Sequence, residues 1–237
     1  MAIATAPPAL SQAAKGDARL SVAVEDYLKA IHALESRCGG AVTTTALAER
    51  LEVTAASASA MIRRLAERGL AVHERYHGVS LTAEGRRTAL EVVRHHRLLE
   101  LYLTEKLGMP WDRVHEEADV LEHHISEELE QRIAAALDDP DCDPHGDPIP
   151  SVDLEVLERA TRSLAELEPG DRGAFVRVSD SDPAMLRYLA ERGIAPGDHF
   201  TVTERQPFDG PLSVRFDSGI HNLGGRLAEA MRVELDP

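Results

Sequence analysis

Residues 43–65 read TTTALAERLEVTAASASAMIRRL, and this stretch decides the fold of the first part of the chain. A short helical segment reaches Leu51, and Thr54 is placed to cap a further helix after a three-residue turn. Apolar residues then recur at helical spacing, which gives that helix one core-facing side made of Ala58, Met61, Ile62 and Leu65. Two capped helices separated by so short a turn indicate a helix-turn-helix.

The segment before this stretch predicts one more helix. Apolar residues from Val24 to Leu34 have helical spacing, and Gly39-Gly40 is expected to end the helix. Thr44 or Thr45 is expected to cap the short helix that runs to Leu51.

The segment after it predicts a small wing. Leu70–Arg75 and Val79–Leu81 are interpreted as the strands of a β-hairpin whose turn is Tyr76-His77-Gly78. Three helices followed by a hairpin have the layout of a winged helix-turn-helix, so residues 21–90 are predicted to bind DNA.

Small and basic side chains point outward from the third helix. Small residues let the helix approach a major groove, while hydroxyl and guanidinium groups can contact bases or phosphates. The predicted DNA contacts, including two from the wing, are Thr54, Ala56, Ser57, Ser59, Ala60, Arg63, Arg64, Arg75 and His77. The alternative is a tightly packed Ala/Ser helix with solvated arginines. Few of these side chains can make bidentate base contacts, so DNA shape would carry much of the specificity.

The charge distribution is compatible with DNA binding although the chain has a formal net charge of −15 at pH 7. Residues 1–97 hold 13 Lys and Arg against 10 Asp and Glu, whereas residues 98–237 hold 13 against 31. Phosphate binding needs a local basic face rather than a basic chain. The acidic remainder would raise the local concentration of a cation.

Composition favours an ordinary globular protein of the cytoplasm. The 237 residues are 43% apolar and 28% charged, and only Cys38 and Cys142 contain a thiol, too few for a disulfide framework. No stretch approaches the roughly 20 apolar residues that span a membrane. Residues 1–20 are interpreted as a flexible tail rather than a signal peptide.

Histidines and carboxylates cluster in residues 82–137, which are predicted to be helical with a break at Gly108-Met109-Pro110. His96 and Glu100 share a face of the first helix, and four residues share a stripe of the second: His115, Asp119, Glu122 and His123. Packed antiparallel, these six groups would repel one another unless a cation neutralised them. The alternative is a pair of solvated polar faces. His95 and His124 could either support the metal ligands by hydrogen bonds or be solvated neighbours, and the second role is preferred.

The same segment gives little support for an enzyme. Residues 115–119 read HEEAD, which resembles a zinc-protease signature only superficially. Asp119 stands where that motif needs its second histidine. A metal-dependent hydrolase is therefore not predicted.

The last part of the chain is predicted to be rich in β-structure. Residues 138–153 are rich in Pro and Asp and are interpreted as an ordered loop or linker, in which Cys142 and His145 are structural or incidental. Residues 154–167 could add one helix. From Gly170 onward short strands alternate with turns, with strands predicted at Ala174–Val178, His199–Glu204 and Leu212–Phe216. Between the first two, Asp182 caps a short helix predicted at Pro183–Arg192.

Five stretches carry a resemblance to a known family. They are VEDYLKAI at 24–31, LTAEGRR at 81–87, RHHRLLELYL at 94–103, VHEEADVLEHHISEEL at 114–129 and DPHGDPIP at 143–150. In this order they resemble the DtxR/MntR family of metal-dependent transcriptional regulators, in particular its longer actinobacterial manganese regulators, over nearly all of residues 21–237.

The resemblance implies a mainly α protein with a β-rich C-terminal domain. A winged helix-turn-helix would occupy residues 21–90, a helical dimerisation and metal-binding domain 91–150, a helix or linker 151–169, and an SH3-like small barrel 170–237. It also implies a homodimer on double-stranded operator DNA, without a membrane or a small organic substrate as partner.

The resemblance further implies two metal sites per subunit. The primary site would comprise Asp26, Asp119, Glu122 and His123. The ancillary site would comprise His96, Glu100 and His115 with an oxygen ligand from the SH3-like domain. Asp180 is the expected oxygen ligand, and Asp182 is its rival, although Asp182 is also a good helix N-cap.

The metal implied is Mn²⁺, with Fe²⁺ as the alternative. Iron-type members have a methionine where this chain has Asp26 and a cysteine where it has Asp119, and carboxylates in place of sulfur favour a harder ion. Short manganese regulators have a glutamate at the position of Lys29, so two separated sites are expected here rather than a closely spaced ion pair. The predicted function is Mn²⁺-dependent repression of metal-homeostasis genes. The alternatives are an iron-dependent repressor of the same family and a winged-helix regulator that senses a small organic effector.

Overall fold

The computed structural model describes residues 20–74, 77–208 and 210–236. Almost all of the predicted N-terminal tail and the wing residue Arg75 lie outside these ranges. Helices dominate the first part of the described chain and an antiparallel sheet dominates the last, around three separate hydrophobic cores. Within these ranges, no helix has both the length and the apolar character that crossing a bilayer requires.

The first core belongs to a winged helix-turn-helix, as the sequence predicts. Its elements are the helices α1 (Val22–Cys38), α2 (Thr44–Arg50) and α3 (Ala55–Glu67) and the antiparallel strands β1 (Ala71–Glu74) and β2 (Gly78–Leu81). On α3, Ala58, Ile62 and Leu65 are fully buried and Met61 is partly buried, so the predicted core face is confirmed.

The caps of these helices follow the sequence with one exception. The Thr54 hydroxyl accepts a hydrogen bond from Ser57 N at 3.1 Å at the start of α3, and Gly39 ends α1 with φ of 68°. The prediction that Thr44 or Thr45 caps α2 is wrong. Thr43 is the cap, because it has the extended backbone that a cap needs and accepts from Ala46 N at 3.1 Å.

Helices α4 (Ala83–Glu105), α5 (Val114–Leu121) and α6 (Glu127–Ala136) build the second unit. α4 continues through residues 90 and 91, where the sequence placed a domain boundary. The single helix expected after Gly108-Met109-Pro110 is in fact two. Ser126 starts the second, since its hydroxyl accepts from Leu129 N at 3.2 Å. As a result, Glu122 and His123 lie in the turn between α5 and α6 rather than on a helix.

A six-stranded antiparallel sheet forms the third unit within the described residues, with strand order β3-β8-β4-β5-β6-β7. Its strands are β3 (Arg162–Ser163), β4 (Arg172–Val178), β5 (His199–Arg205), β6 (Leu212–Phe216), β7 (Gly219–Leu223) and β8 (Met231–Leu235). Helix α7 (Pro183–Ala190) begins at Asp182 as predicted, with Asp182 Oδ1 accepting from Ala184 N at 3.1 Å. The sequence did not predict β3, β7, β8 or α8 (Gly225–Ala230).

The helix suggested at residues 154–167 is wrong. Residues 154–161 have no regular structure, and the rest form β3 and a 3-10 turn, Leu164–Glu166. Leu157 is 78% exposed, so the first part of this segment finds no surface on which a helix could pack. Leu164 and Leu167 are instead buried in the core of the sheet unit.

The loop at residues 138–153 is ordered, as predicted, and holds the sheet unit against the helices. His145 O accepts a hydrogen bond from Val178 N at 2.9 Å. Gly146, with φ of 87°, passes so close to β4 that a Cβ atom there would lie 1.9 Å from Val176 O. This contact brings the residues that follow β4 to the surface of α5.

Candidate metal centre

One cluster joins α1 to the α5–α6 turn. His123 Nε2 lies 3.0 Å from Asp26 Oδ1 and 3.3 Å from Glu122 Oε1. Glu122 and His123 are buried, and burial raises the pKa of Asp26 although His123 opposes this. These three residues, called cluster A below, meet from two separate elements and are three of the four predicted for the primary site.

A second cluster joins α4, α5 and the segment after β4. His115 Nδ1 lies 3.1 Å from both Glu100 Oε1 and Asp180 Oδ2, and His96 Nε2 lies 3.0 Å from Glu100 Oε1. One ligand atom from each of His96, Glu100, His115 and Asp180 lies within 4.8 Å of the others. The structure thus brings together the four residues predicted for an ancillary site, with Asp180 rather than Asp182 from the sheet unit, and they are called cluster B below.

Electrostatics in cluster B favour a bound positive charge. Hydrogen bonds to Asp180 and Glu100 raise the pKa of His115 to about 10. Burial raises the pKa of Glu100, but the imidazoles of His96, His115 and His145 outweigh burial and hold that pKa well below its usual value. Burial alone would raise the pKa of Asp180, but His115 outweighs burial and lowers that pKa. Protons on the histidines thus neutralise the carboxylates when no metal is bound.

Asp119 lies between the two clusters rather than in cluster A. It groups with His96 and Glu122, and its Oδ2 lies 3.5 Å from His115 Nε2. The reason is Lys29, whose Nζ donates to Asp119 Oδ1 at 2.9 Å and to Glu122 Oε2 at 2.7 Å. Burial raises the pKa of Asp119, but Lys29 outweighs it and lowers that pKa.

Glu25 is a residue of the site that sequence reasoning missed. Its Oε2 accepts a hydrogen bond from His123 Nδ1 at 2.6 Å, which turns His123 Nε2 toward Asp26. No sequence signal distinguishes it, because Glu25 simply precedes Asp26 on α1.

His145, interpreted from the sequence as structural or incidental, lies fully buried behind cluster B. Its Nδ1 faces Glu100 Oε2 at 3.7 Å and its Nε2 contacts Trp111 O at 2.8 Å. Burial lowers the pKa of His145, but Glu100 and Asp143 outweigh it and raise that pKa to about 9. Burial raises the pKa of Asp143 to about 8. The motif DPHGDPIP carries the signal that could have identified this group.

His95 corrects a further expectation. It is not a solvated neighbour, because its Nδ1 lies 3.1 Å from Glu122 O and its Nε2 lies 3.1 Å from Glu130 Oε2. His95 therefore supports the turn that carries Glu122 and His123. His124 is exposed, as expected.

Both clusters fit a divalent cation by the chemistry of their donors. Each combines at least two carboxylates with imidazole, and sulfur is absent from the metal-sized clusters found among the described residues. Carboxylate and imidazole donors suit Mn²⁺ and related ions. Cys38 is exposed at the end of α1, and Cys142 lies in the loop after α6.

The predicted DNA-contacting face is open to solvent. On α3, Ala56, Ser57, Ala60, Arg63 and Arg64 are exposed, and Ser59 is half-buried. Thr54 is also exposed, but its hydroxyl is engaged at the cap and 2.9 Å from Ser57 Oγ. His77 is exposed in the wing, and Arg75 lies outside the described residues.

Three family models match successive parts of the chain. The N-terminal DNA-binding domain of iron-dependent repressors matches residues 19–79, and their metal-binding and dimerisation domain matches residues 82–151. The FeoA domain matches residues 162–235.

Full-length relatives and solved structures agree with these matches. The chain is 31% identical to the iron-dependent repressor IdeR of Mycobacterium leprae, with 89% of this chain and 96% of the relative covered. It is 39% identical to the diphtheria toxin repressor of Corynebacterium efficiens, with 89% and 94% covered. A structure described as a manganese-dependent transcriptional repressor in complex with manganese is 45% identical, covers 90% of this chain and 100% of its own, and superposes with a TM-score of 0.82. The manganese regulator SloR is 28% identical, covers 90% and 98%, and has a TM-score of 0.70.

Proposed function

The chain belongs to the DtxR/MntR family of metal-dependent transcriptional repressors, and we propose that Mn²⁺ is the ion that controls its binding to operator DNA. The observation that carries this proposal is the donor chemistry of clusters A and B, which combine carboxylates and imidazoles without sulfur. Oxygen-rich sites suit Mn²⁺, whereas thiolate and thioether donors favour softer ions.

Two ions per subunit are proposed. Asp26, Glu122 and His123 would hold one ion at cluster A, with Asp119 as the fourth group of that primary site. His96, Glu100, His115 and Asp180 would hold the other at cluster B. The charge of each ion would take over from the protons that balance the carboxylates in its absence.

Cluster A supports a role in positioning the DNA-binding unit. Asp26 lies on α1, whose neighbours Leu28 and Ile31 are buried in the DNA-binding core. Glu122 and His123 lie in the turn of the helical unit. Holding these groups together fixes the direction in which α3 points, and preferential binding of an ion to that arrangement shifts the population toward it.

Operator DNA and a second subunit complete the proposal. The exposed face of α3, Arg63 and Arg64 included, would enter the major groove, and the wing would contact the neighbouring backbone. In a two-fold homodimer the two α3 helices read half-sites about one helical turn apart. The regulated genes would be those for metal uptake or efflux.

The proposal is tested by fluorescence anisotropy with labelled promoter DNA at buffered free concentrations of Mn²⁺, Fe²⁺, Co²⁺ and Zn²⁺. We expect Mn²⁺ to increase DNA affinity at a lower free concentration than Fe²⁺. DNA affinity that is the same with and without every ion would overturn the proposal.

The variant Asp26→Ala tests the role of cluster A. It removes the carboxylate that α1 contributes to cluster A, so Mn²⁺-dependent DNA binding should be lost while the circular-dichroism spectrum of the ion-free protein is unchanged. Asp217→Ala, at an exposed turn of the sheet unit, is the control and should respond to Mn²⁺ as the wild type does. A full Mn²⁺ response in Asp26→Ala would contradict the role of cluster A.

Fe²⁺ is the second candidate, because the matching family models and several relatives are named as iron-dependent repressors. The same titration separates the two ions. A response to Fe²⁺ at a lower free concentration than to Mn²⁺ would favour iron.

A further inference from the structure

One buried carboxylate attaches the wing to α1. Glu35, near the end of α1, is only 9% exposed. Its Oε1 accepts a hydrogen bond at 2.9 Å from the backbone N–H of Leu81, the last residue of β2. Its Oε2 accepts a second one, also at 2.9 Å, from Arg86 Nη2 at the start of α4. A single side chain therefore binds both sides of the corner between β2 and α4.

The contact with Leu81 continues the hydrogen-bond ladder on the edge of β2 that faces away from β1. On that edge, Val79 exchanges two backbone hydrogen bonds with Val42, at 2.8 and 2.9 Å. Alternate residues of a strand direct their backbone groups to the same edge, so the N–H of Leu81 is the next donor there. Glu35 takes the place that the carbonyl of a neighbouring strand would have. Without it, a buried backbone N–H would have no acceptor.

The corner to which Glu35 is bound is tightly packed. The Thr82 hydroxyl donates to Gly69 O at 2.7 Å and accepts from Gly85 N at 3.1 Å. A Cβ atom on Gly85 would lie 1.9 Å from Leu70 O, so the start of α4 lies directly against the chain that leads into β1. A displacement of Glu35 must therefore move the wing and the start of α4 together, because the corner has no room to bend.

α1 has its other attachment nine residues before Glu35, where Asp26 belongs to cluster A. Nine residues of an α-helix rise about 13 Å and make two and a half turns, so the two attachments lie on opposite sides of α1. A hydrogen-bonded helix of this length acts as a rigid element between two sites. The ion at cluster A would hold one end of that element, and Glu35 holds the other end to the wing.

We propose that Glu35 is a positioning residue through which the ion at cluster A sets the direction of the wing on operator DNA. An ion that favours one arrangement of α1 also fixes the wing, because the carboxylate joins α1 to β2 and α4. This inference rests on the proposed function, since it takes cluster A as a metal site and the wing as a DNA contact. It predicts that a change at Glu35 separates metal binding from the DNA response.

Two substitutions at Glu35 test this separation in the full-length protein. Glu35→Met removes both oxygens, whereas Glu35→Gln keeps an oxygen for Leu81 N but loses the charge that faces Arg86. We expect Glu35→Met to bind Mn²⁺ with wild-type affinity in calorimetry, while the Mn²⁺-dependent gain in affinity for promoter DNA falls by about 2- to 30-fold. Glu35→Gln should lie between Glu35→Met and wild type. Glu166→Met is the control: it breaks an exposed pair with Arg162 in the sheet unit and should match the wild type in both measurements.

Hydroxyl-radical footprinting on the same promoter DNA distinguishes positioning of the wing from general support of the fold. Glu35→Met should lose protection of the backbone positions that flank the major-groove contacts, where the wing lies, and keep the protection that α3 gives. A footprint that weakens evenly without a change of pattern would show that Glu35 only supports the fold, and would overturn the inference. A full DNA response in Glu35→Met would also overturn it.

Hydrogen exchange on the wild type gives a test that does not depend on the folding of any variant. Mn²⁺ should slow amide exchange in residues 78–82, although the groups of clusters A and B all lie elsewhere in the chain. Exchange in this segment that is the same with and without Mn²⁺ would overturn this inference alone. Wild type whose DNA affinity does not respond to Mn²⁺ would overturn the proposed function and this inference with it.

Discussion

Glu25 determines which nitrogen of His123 faces cluster A. Because the carboxylate accepts from Nδ1 at 2.6 Å, Nε2 is the atom presented to Asp26 and Glu122. Partners of this kind fix the tautomer of a metal-binding histidine and increase its basicity.

Glu25→Gln should therefore weaken Mn²⁺ binding at cluster A by about 10- to 100-fold, in the range typical of such partners. Isothermal titration calorimetry would measure the change. Glu49→Gln, an exposed glutamate on α2, serves as the control and should leave the affinity unaltered. Equal affinities for the two variants would show that His123 is oriented by packing alone.

His115 makes ion binding at cluster B dependent on pH. Its pKa is raised to about 10, so at pH 7 the ion-free protein carries an imidazolium there. A metal ion needs the neutral imidazole, and binding must release that proton. The affinity of cluster B for Mn²⁺ should therefore rise as the pH rises from 6 to 8. This whole range lies below the pKa of about 10 that His115 has in the ion-free protein.

Calorimetry in buffers of different ionisation enthalpy would count the protons released. His115→Gln should release about one proton fewer per chain, because it has no imidazolium to lose. A proton count unchanged by the substitution would rule out His115 as the source.

The sequence predicted the residues of cluster B better than it predicted the contacts of α1. His96 and Glu100 are four residues apart on one helix, and that spacing alone places them on the same face. Glu25 and Lys29 reach the α5–α6 turn only because α1 and α5 both pack against α4, and Glu25 and His123 are 98 residues apart. No local pattern encodes a contact of that range.

At the level of the element, α3 presents two adjacent arginines on its solvent face. Arg63 and Arg64 are exposed, whereas Ile62 and Leu65 on the other face are buried in the core. Their removal should change the surface of the helix without changing its packing.

Arg63→Ala/Arg64→Ala should weaken binding to operator DNA in the presence of Mn²⁺. The slope of log affinity against log salt concentration should also become shallower by about 0.9 for each phosphate that the variant no longer neutralises. Gel-shift or anisotropy titrations across a salt series would measure both. The double variant Arg172→Ala/Arg215→Ala removes two exposed arginines from the sheet unit and should change neither the DNA affinity nor the salt slope. Unaltered affinity in the α3 variant would exclude α3 as the reading helix.

Element boundaries were predictable where a cap precedes a clear apolar pattern. Thr54 and Asp182 both begin helices as the sequence indicates. The cap at Ser126 was not predicted. His115, Asp119, Glu122 and His123 keep helical spacing up to the turn, and this pattern favours one continuous helix. The helix expected from residue 154 fails for a different reason: Leu157 finds no surface to pack on, while Leu164 and Leu167 are buried in the sheet unit without forming an α-helix.

In the whole molecule, Asp180 is the link from the sheet unit to the helices at cluster B. It reaches His115 because the loop at 143–150 packs on β4 through Gly146 and His145. Loss of the Asp180 carboxylate should thus affect both metal binding and the attachment of the sheet unit.

Asp180→Asn should retain one Mn²⁺ ion fewer per chain after dialysis, since cluster B loses one of its two carboxylates. Limited proteolysis in the presence of Mn²⁺ should also cleave the segment at residues 151–161 faster, because an anchor of the sheet unit is weakened. Asp217→Asn is the matched control. An unchanged metal content would show that His96, Glu100 and His115 suffice.

Clusters A and B draw their groups from three distant parts of the chain, and this has a consequence for the lifetime of the protein. An ion held between such parts acts as an exchangeable cross-link. A ligand that binds only the folded form at 100 times its dissociation constant adds about 2.7 kcal/mol to the free energy of unfolding. Scarcity of the ion would then not only release the operator but also leave the repressor easier to unfold and to degrade, so the amount of repressor would follow the supply of metal.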